Sequence, residues 1–179
     1  MAEFLWIFWS FSLLGWVLER LFAAVTRSLR RRRRCLLLLP LCPVYGLGMA
    51  AVLALPPSLR SGWPLYLWGG LTATSVEYIY HWWGETFLGV SFWDYTGVFG
   101  NFRGRVCLSF SLAWGLLLFP AVYLVTPPVV ALADRVPIGV TWWLLLAFTA
   151  DAVCSLRFLA VTHDLEALRA VIWPVSADR

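Results

Sequence analysis

Glu77, His81 and Glu85 recur at i, i+4 and i+8, which places a carboxylate, an imidazole and a second carboxylate on one stripe of one helix. That order of groups can pass a proton or hold a divalent cation. It can also be a helix-packing stripe, with Glu77 paired to an arginine and Glu85 near solvent. Glu19 and Asp151 are further acids set inside apolar runs, and Arg103 and Arg105 are the cations placed to answer them. No nucleophile–base set is recognisable, so no catalytic residue is expected. No H-E-x-x-H or His-rich pattern points to a metal, and no cofactor is expected.

The stretch 88–106, LGVSFWDYTGVFGNFRGRV, is too polar and glycine-rich to span a bilayer but unusually aromatic for a loop. It reads as a structured loop dipping toward a helix bundle. Asp94 and Asn101 flank a glycine-containing turn ahead of Arg103 and Arg105, where they could gate or contact a substrate, or clamp the following helix. The Trp82-Trp83 and Trp142-Trp143 pairs fit an aromatic ligand box or, more simply, the belts that indole rings form at membrane interfaces.

The elements that must position these groups follow from composition. Hydrophobic residues make up 61% of the 179-residue chain and charged residues only 13%, against about 45–50% and roughly 25% in soluble domains. This composition requires a membrane and excludes disorder and disulfide scaffolds. All 14 basic residues are arginine; a Walker A loop needs lysine, so the chain is not itself a P-loop ATPase. The basicity reads as a topology signal rather than nucleic-acid binding. Cys35, Cys42, Cys107 and Cys154 lack zinc or C-x-x-C spacing and read as small apolar helix residues.

A spanning helix needs about 20 mostly apolar residues. Five stretches qualify, 3–26, 35–55, 63–87, 107–126 and 138–161, separated by Pro56-Pro57, Pro127-Pro128 and Pro137. The first lacks a basic start and a cleavage site and reads as an uncleaved helix. The expectation is an all-α polytopic bundle over 1–161 with an amphipathic cytoplasmic tail over 162–179. The arginines at 27, 30–34, 103, 105, 169 and 179 then lie inside if the N-terminus is outside and the C-terminus inside. Pro40, Pro43, Gly46 and Gly48 break the second helix, which must pack on protein or a wet cavity. At 1.5 Å per residue Glu19 lies about 24 Å along its helix, and Glu77 and Asp151 roughly 20 Å along theirs. Three acids at similar depth, with Arg103 and Arg105, would make a polar site open to the cytoplasm.

Several strings in order carry a family resemblance: Gly15-Trp16…Glu19; Pro43-x-Tyr45-Gly46-x-Gly48; Glu77-Tyr78 with Glu85; and Trp93-Asp94-Tyr95…Asn101-x-x-Gly104-Arg105-x-Cys107-Leu108. Over about residues 8 to 125 the chain resembles the putative ABC-transporter type IV, or CmpB-like, permease family. Family members carry an Asn-Arg-Gly element and a Gly-Pro before the Pro-x-Tyr-Gly string; this chain has the arginine run and CLLLLPLCP there instead. The resemblance implies a bacterial inner-membrane, multi-pass transport component, and adds Tyr45 to the candidates. Its partners would be the lipid bilayer, a separate ATPase subunit and, because the bundle is small for a complete permease, a second copy or partner subunit. The competing readings are an intramembrane enzyme acting on a lipid-linked substrate, and a non-catalytic ligand-binding or structural subunit.

Overall fold

In the computed structural model, which describes residues 1–26 and 34–170, the chain is mainly helical. The arginines at 27 and 30–33, and the tail beyond residue 170, lie outside the described residues. Helix α1 is Ala2–Thr26. Phe8, Phe11, Ser12, Gly15 and Glu19 are its buried stripe, while Leu13, Leu14, Val17, Leu18 and Leu21 face outward.

Helix α2, Pro43–Leu53, packs closely on α1. Two glycines make the approach possible: a side chain at Gly15 would overlap the Tyr45 ring, and one at Gly46 would overlap the Phe8 carbonyl and Ser12 Oγ. The expected helix over 35–55 is corrected here. Only 11 residues are helical, about 16 Å at the helical rise and roughly half the hydrocarbon thickness. Residues 34–42 instead form a non-helical strap of successive bends. Pro40 and Pro43 lack N–H donors, and the strap's own backbone groups find partners elsewhere. Leu38 and Leu39 donate to the two Asp151 oxygens at 3.1 and 3.0 Å, and Cys42 N–H donates to the Ser12 carbonyl at 2.9 Å. Cys35 and Cys42 form a disulfide, which corrects the reading of these two as small apolar helix residues; Cys107 and Cys154 are free thiols.

Helix α3 runs continuously over 62–88, α-helical at Gly70–Trp83 with π turns at Leu65–Gly69 and Gly84–Leu88. The connection to the next helix folds back onto the bundle and contains a minimal antiparallel hairpin, β1 Asn101–Phe102 and β2 Val106–Cys107. Helix α4, Leu108–Arg135, passes through the expected break at Pro127-Pro128. A π turn at Ala121–Val125 follows Pro120, Thr126 Oγ1 donates to the Ala121 carbonyl at 2.8 Å, and the two prolines fall in the first turn after it, where N–H groups are dispensable. Helix α5, Ile138–Thr162, ends at His163, and a short α6, Leu165–Ala170, follows.

Helices α1 (over Ala2–Val25), α4 and α5 are long and apolar enough to cross a membrane. The core has two clusters. One joins the strap (Leu36, Leu37), the loop (Val90, Phe92, Trp93, Tyr95), Leu159 of α5 and Leu165 and Leu168 of α6. The other joins Phe11, Met49, Val52, Leu65, Ala73 and Leu118 of α1–α4. Leu165 and Leu168 of α6 thus pack on the bundle. Alkylation of denatured, unreduced protein should modify only Cys107 and Cys154, and all four cysteines after reduction; four reactive thiols without reductant would contradict the strap closure.

Candidate functional site

The bundle centre is occupied by Glu77, whose side chain α3 points inward one turn before His81; both are 1% exposed. A carboxylate taken out of water is retained only where donors reach it. Trp114, two turns into α4, donates its indole N–H to Glu77 Oε2 at 2.7 Å, and Tyr95, carried in by the loop, donates its hydroxyl to Oε1 at 3.3 Å. The Trp114 ring stands edge-on to Tyr45 at 5.0 Å, and Tyr45 donates its hydroxyl to the buried Glu19 at 2.5 Å. Glu19, Tyr45 and Glu77 thus come from three helices into one connected set. Sequence reasoning missed Trp114, whose signal was an indole inside an apolar run rather than at an interface.

Two cavities flank this set. A cavity of about 340 Å³ is walled almost wholly by apolar side chains, with Glu77, Tyr45 and Trp114 at its polar edge. A second, of about 190 Å³, adjoins it across Leu18, Tyr45, Trp114 and Leu117 and adds Glu19 and Tyr95.

A separate ionic cluster lies at the end of α3. Arg105 binds Glu85 Oε2 through Nε at 2.7 Å and donates to the Tyr78 hydroxyl at 2.8 Å, its guanidinium 5.1 Å from the Tyr78 ring centre. His81 Nε2 lies 3.1 Å from Glu85 Oε1 and 3.2 Å from Ser91 Oγ. Serine, histidine and glutamate together have the residue types of a hydrolytic triad, but here acid and hydroxyl meet the same ring nitrogen. A triad base needs the acid on one nitrogen and the nucleophile on the other, and Ser91 itself donates to Glu85 at 3.2 Å. The cluster is built to hold the loop rather than to attack a substrate.

The remaining candidates sit apart from the centre. Asp94 accepts from Thr96 N–H at 2.8 Å, and Asn101 accepts from Gly104 N–H at 3.2 Å and donates to the Val98 carbonyl at 2.8 Å. Gly104 has φ +70°, which favours glycine, and its carbonyl receives Tyr95 N–H at 2.8 Å. Trp93 Nε1–H closes on the Arg105 carbonyl at 2.7 Å. These turns aim Tyr95 at Glu77. Arg103 is exposed, with its guanidinium 5.7 Å from the Phe102 ring centre. Asp151 holds the strap and also accepts from Ser155 at 3.0 Å. Bonds from the Thr96 side chain and backbone hold the Asp94 carboxyl below its ordinary range.

A sequence model of the family described as Putative ABC-transporter type IV matches residues 6–156. The chain belongs to that family. No curated protein and no solved structure matches it. Every candidate residue of this ABC-transporter type IV chain, from Glu19 to Asp151, falls within the matched span, which also takes in most of α5 and leaves out α6.

Two outcomes follow from the loop geometry. Arg105→Ala should lower the melting temperature and speed amide exchange across 89–107, with Arg105→Lys recovering only part, because an ammonium cannot reproduce the planar fork. Because the folded Asp94 pKa is depressed, its contribution is present above the unfolded value of about 3.9 and is lost as pH falls through the folded one. Asp94→Asn should remove that acid limb from loop exchange; an unchanged limb would contradict the turn assignment.

Proposed function

We propose that the chain is the membrane-embedded subunit of an ABC-type transporter, with a ligand-contact site built on Glu19, Tyr45 and Glu77. Family membership supports the transport reading, and the observation that carries the site is Glu77: a carboxylate buried at the bundle centre beside a cavity large enough for a ligand. In this reading the strap and α2 together make the second of five crossings and α3 the third. The N-terminus lies outside and the C-terminus inside, following the arginine distribution, and the site opens to the cytoplasm of a bacterial inner membrane. His81 and Arg105 hold the loop that brings Tyr95 in, while Asp94, Asn101, Arg103 and Asp151 set the turns and the strap. The ATPase is a separate subunit, since this chain has no lysine for a Walker A loop, and the small bundle assembles with a second copy or partner.

Native mass spectrometry of the gently solubilised protein should show it with an ATPase subunit. In reconstituted vesicles Glu77→Gln should leave that complex intact and cut transport-coupled ATP hydrolysis by about tenfold, equivalent to ~1.4 kcal/mol. A lone chain, or coupling indifferent to Glu77→Gln, would overturn the proposal.

A further inference from the structure

The 340 Å³ cavity lies between α1 and α4, two of the helices long and apolar enough to cross a membrane. These helices pack together along Thr126–Arg135 and meet again where the Phe22 and Phe110 rings approach edge-on at 5.9 Å. Between those two closures stands a window. Leu14, Leu18 and Leu117 line the cavity and are themselves 45%, 39% and 44% exposed, so its wall continues into the open surface of α1 and α4. Inside, the short α2 supplies the back wall, and Gly48 leaves it open: a side chain built there would meet no atom within 4 Å.

We infer that this window is a lateral entry site for the apolar chain of a bilayer lipid or lipid-like amphiphile, with its polar end toward Tyr45 and Trp114. A mouth between two apolar helices admits what the bilayer holds, a route beside the cytoplasmic opening of the polar site. The volume falls within the range of small-ligand pockets, about 300–1,000 Å³, and the wall has their composition: an apolar body with a few polar groups at one edge. The adjoining 190 Å³ cavity, lined by Glu19 and Tyr95, extends the polar end. The inference rests on the proposed ligand-contact site and names its ligand class as amphiphilic, its apolar chain entering sideways from the bilayer.

The test is photolabelling of the full chain in phosphatidylcholine vesicles doped with phosphatidylcholine bearing a diazirine on its acyl chain, with adducts mapped by mass spectrometry. Adducts are expected on Met49, which is buried and lines the cavity, as well as on outward leucines of α5. Gly48→Leu fills the open space, so it should lower Met49 labelling by about tenfold, a cost to the bound chain of ~1.4 kcal/mol, while α5 labelling stays constant. Gly48→Ala should give an intermediate value and serves if the larger variant fails to fold. Labelling confined to outward residues, or Met49 labelling unchanged by both variants, means annular lipid only and overturns the inference. Labelling needs no ATPase partner and so separates the two proposals. Met49 labelling with coupling indifferent to Glu77→Gln leaves the lipid site and removes transport; coupling that depends on Glu77 without Met49 labelling removes the amphiphile alone.

Discussion

Glu77 imposes the requirement from which most of the architecture follows. A carboxylate at the centre of a lipid-exposed bundle costs several kcal/mol unless hydrogen-bond donors are brought to it. Trp114 and Tyr95 are such donors, and each needs its own support. Trp114 requires the first turns of α4 to pass beside α3. Tyr95 requires a loop that re-enters the bundle, which is why the loop is glycine-rich, turned by Asp94 and Asn101, and tied down by Arg105 on Glu85. The exposed polar residues of the loop therefore act on the centre through Tyr95.

The same physics, applied to backbone rather than side chain, explains the strap. Non-helical backbone is tolerated at membrane depth only where protein supplies partners. Asp151 takes two strap N–H groups and Ser12 a third through its carbonyl, while Leu36 and Leu37 bury their side chains against α5 and α6. By replacing half a helix with a bent, non-helical strap, the fold leaves α2 short.

How much of this the sequence discloses differs by element. Helices α1, α4 and α5 are legible because a long apolar run has one solution in lipid. The strap is not: CLLLLPLCP is as apolar as a helix, since buried non-helical chain and buried helix share composition. The Cys35–Cys42 pairing follows from how the strap bends, which spacing does not reveal. Pro127-Pro128 reads as a chain break because nothing local signals that a π turn precedes it. In the centre, the buried acids announce themselves by type and depth, whereas the partner of Arg105, Glu85 rather than Glu77, depends on the return path of the loop.

The most direct test of the central claim is a double-mutant cycle on thermal stability in detergent, combining Glu77→Gln with Trp114→Phe, which keeps an aromatic ring, though a smaller one, and removes the N–H. If the indole is what compensates the buried carboxylate, the two losses will couple by about 0.5–3 kcal/mol, the range for directly interacting pairs. Losses that add within about 0.5 kcal/mol would mean that Trp114 does not support Glu77, and the account of the bundle centre would fail.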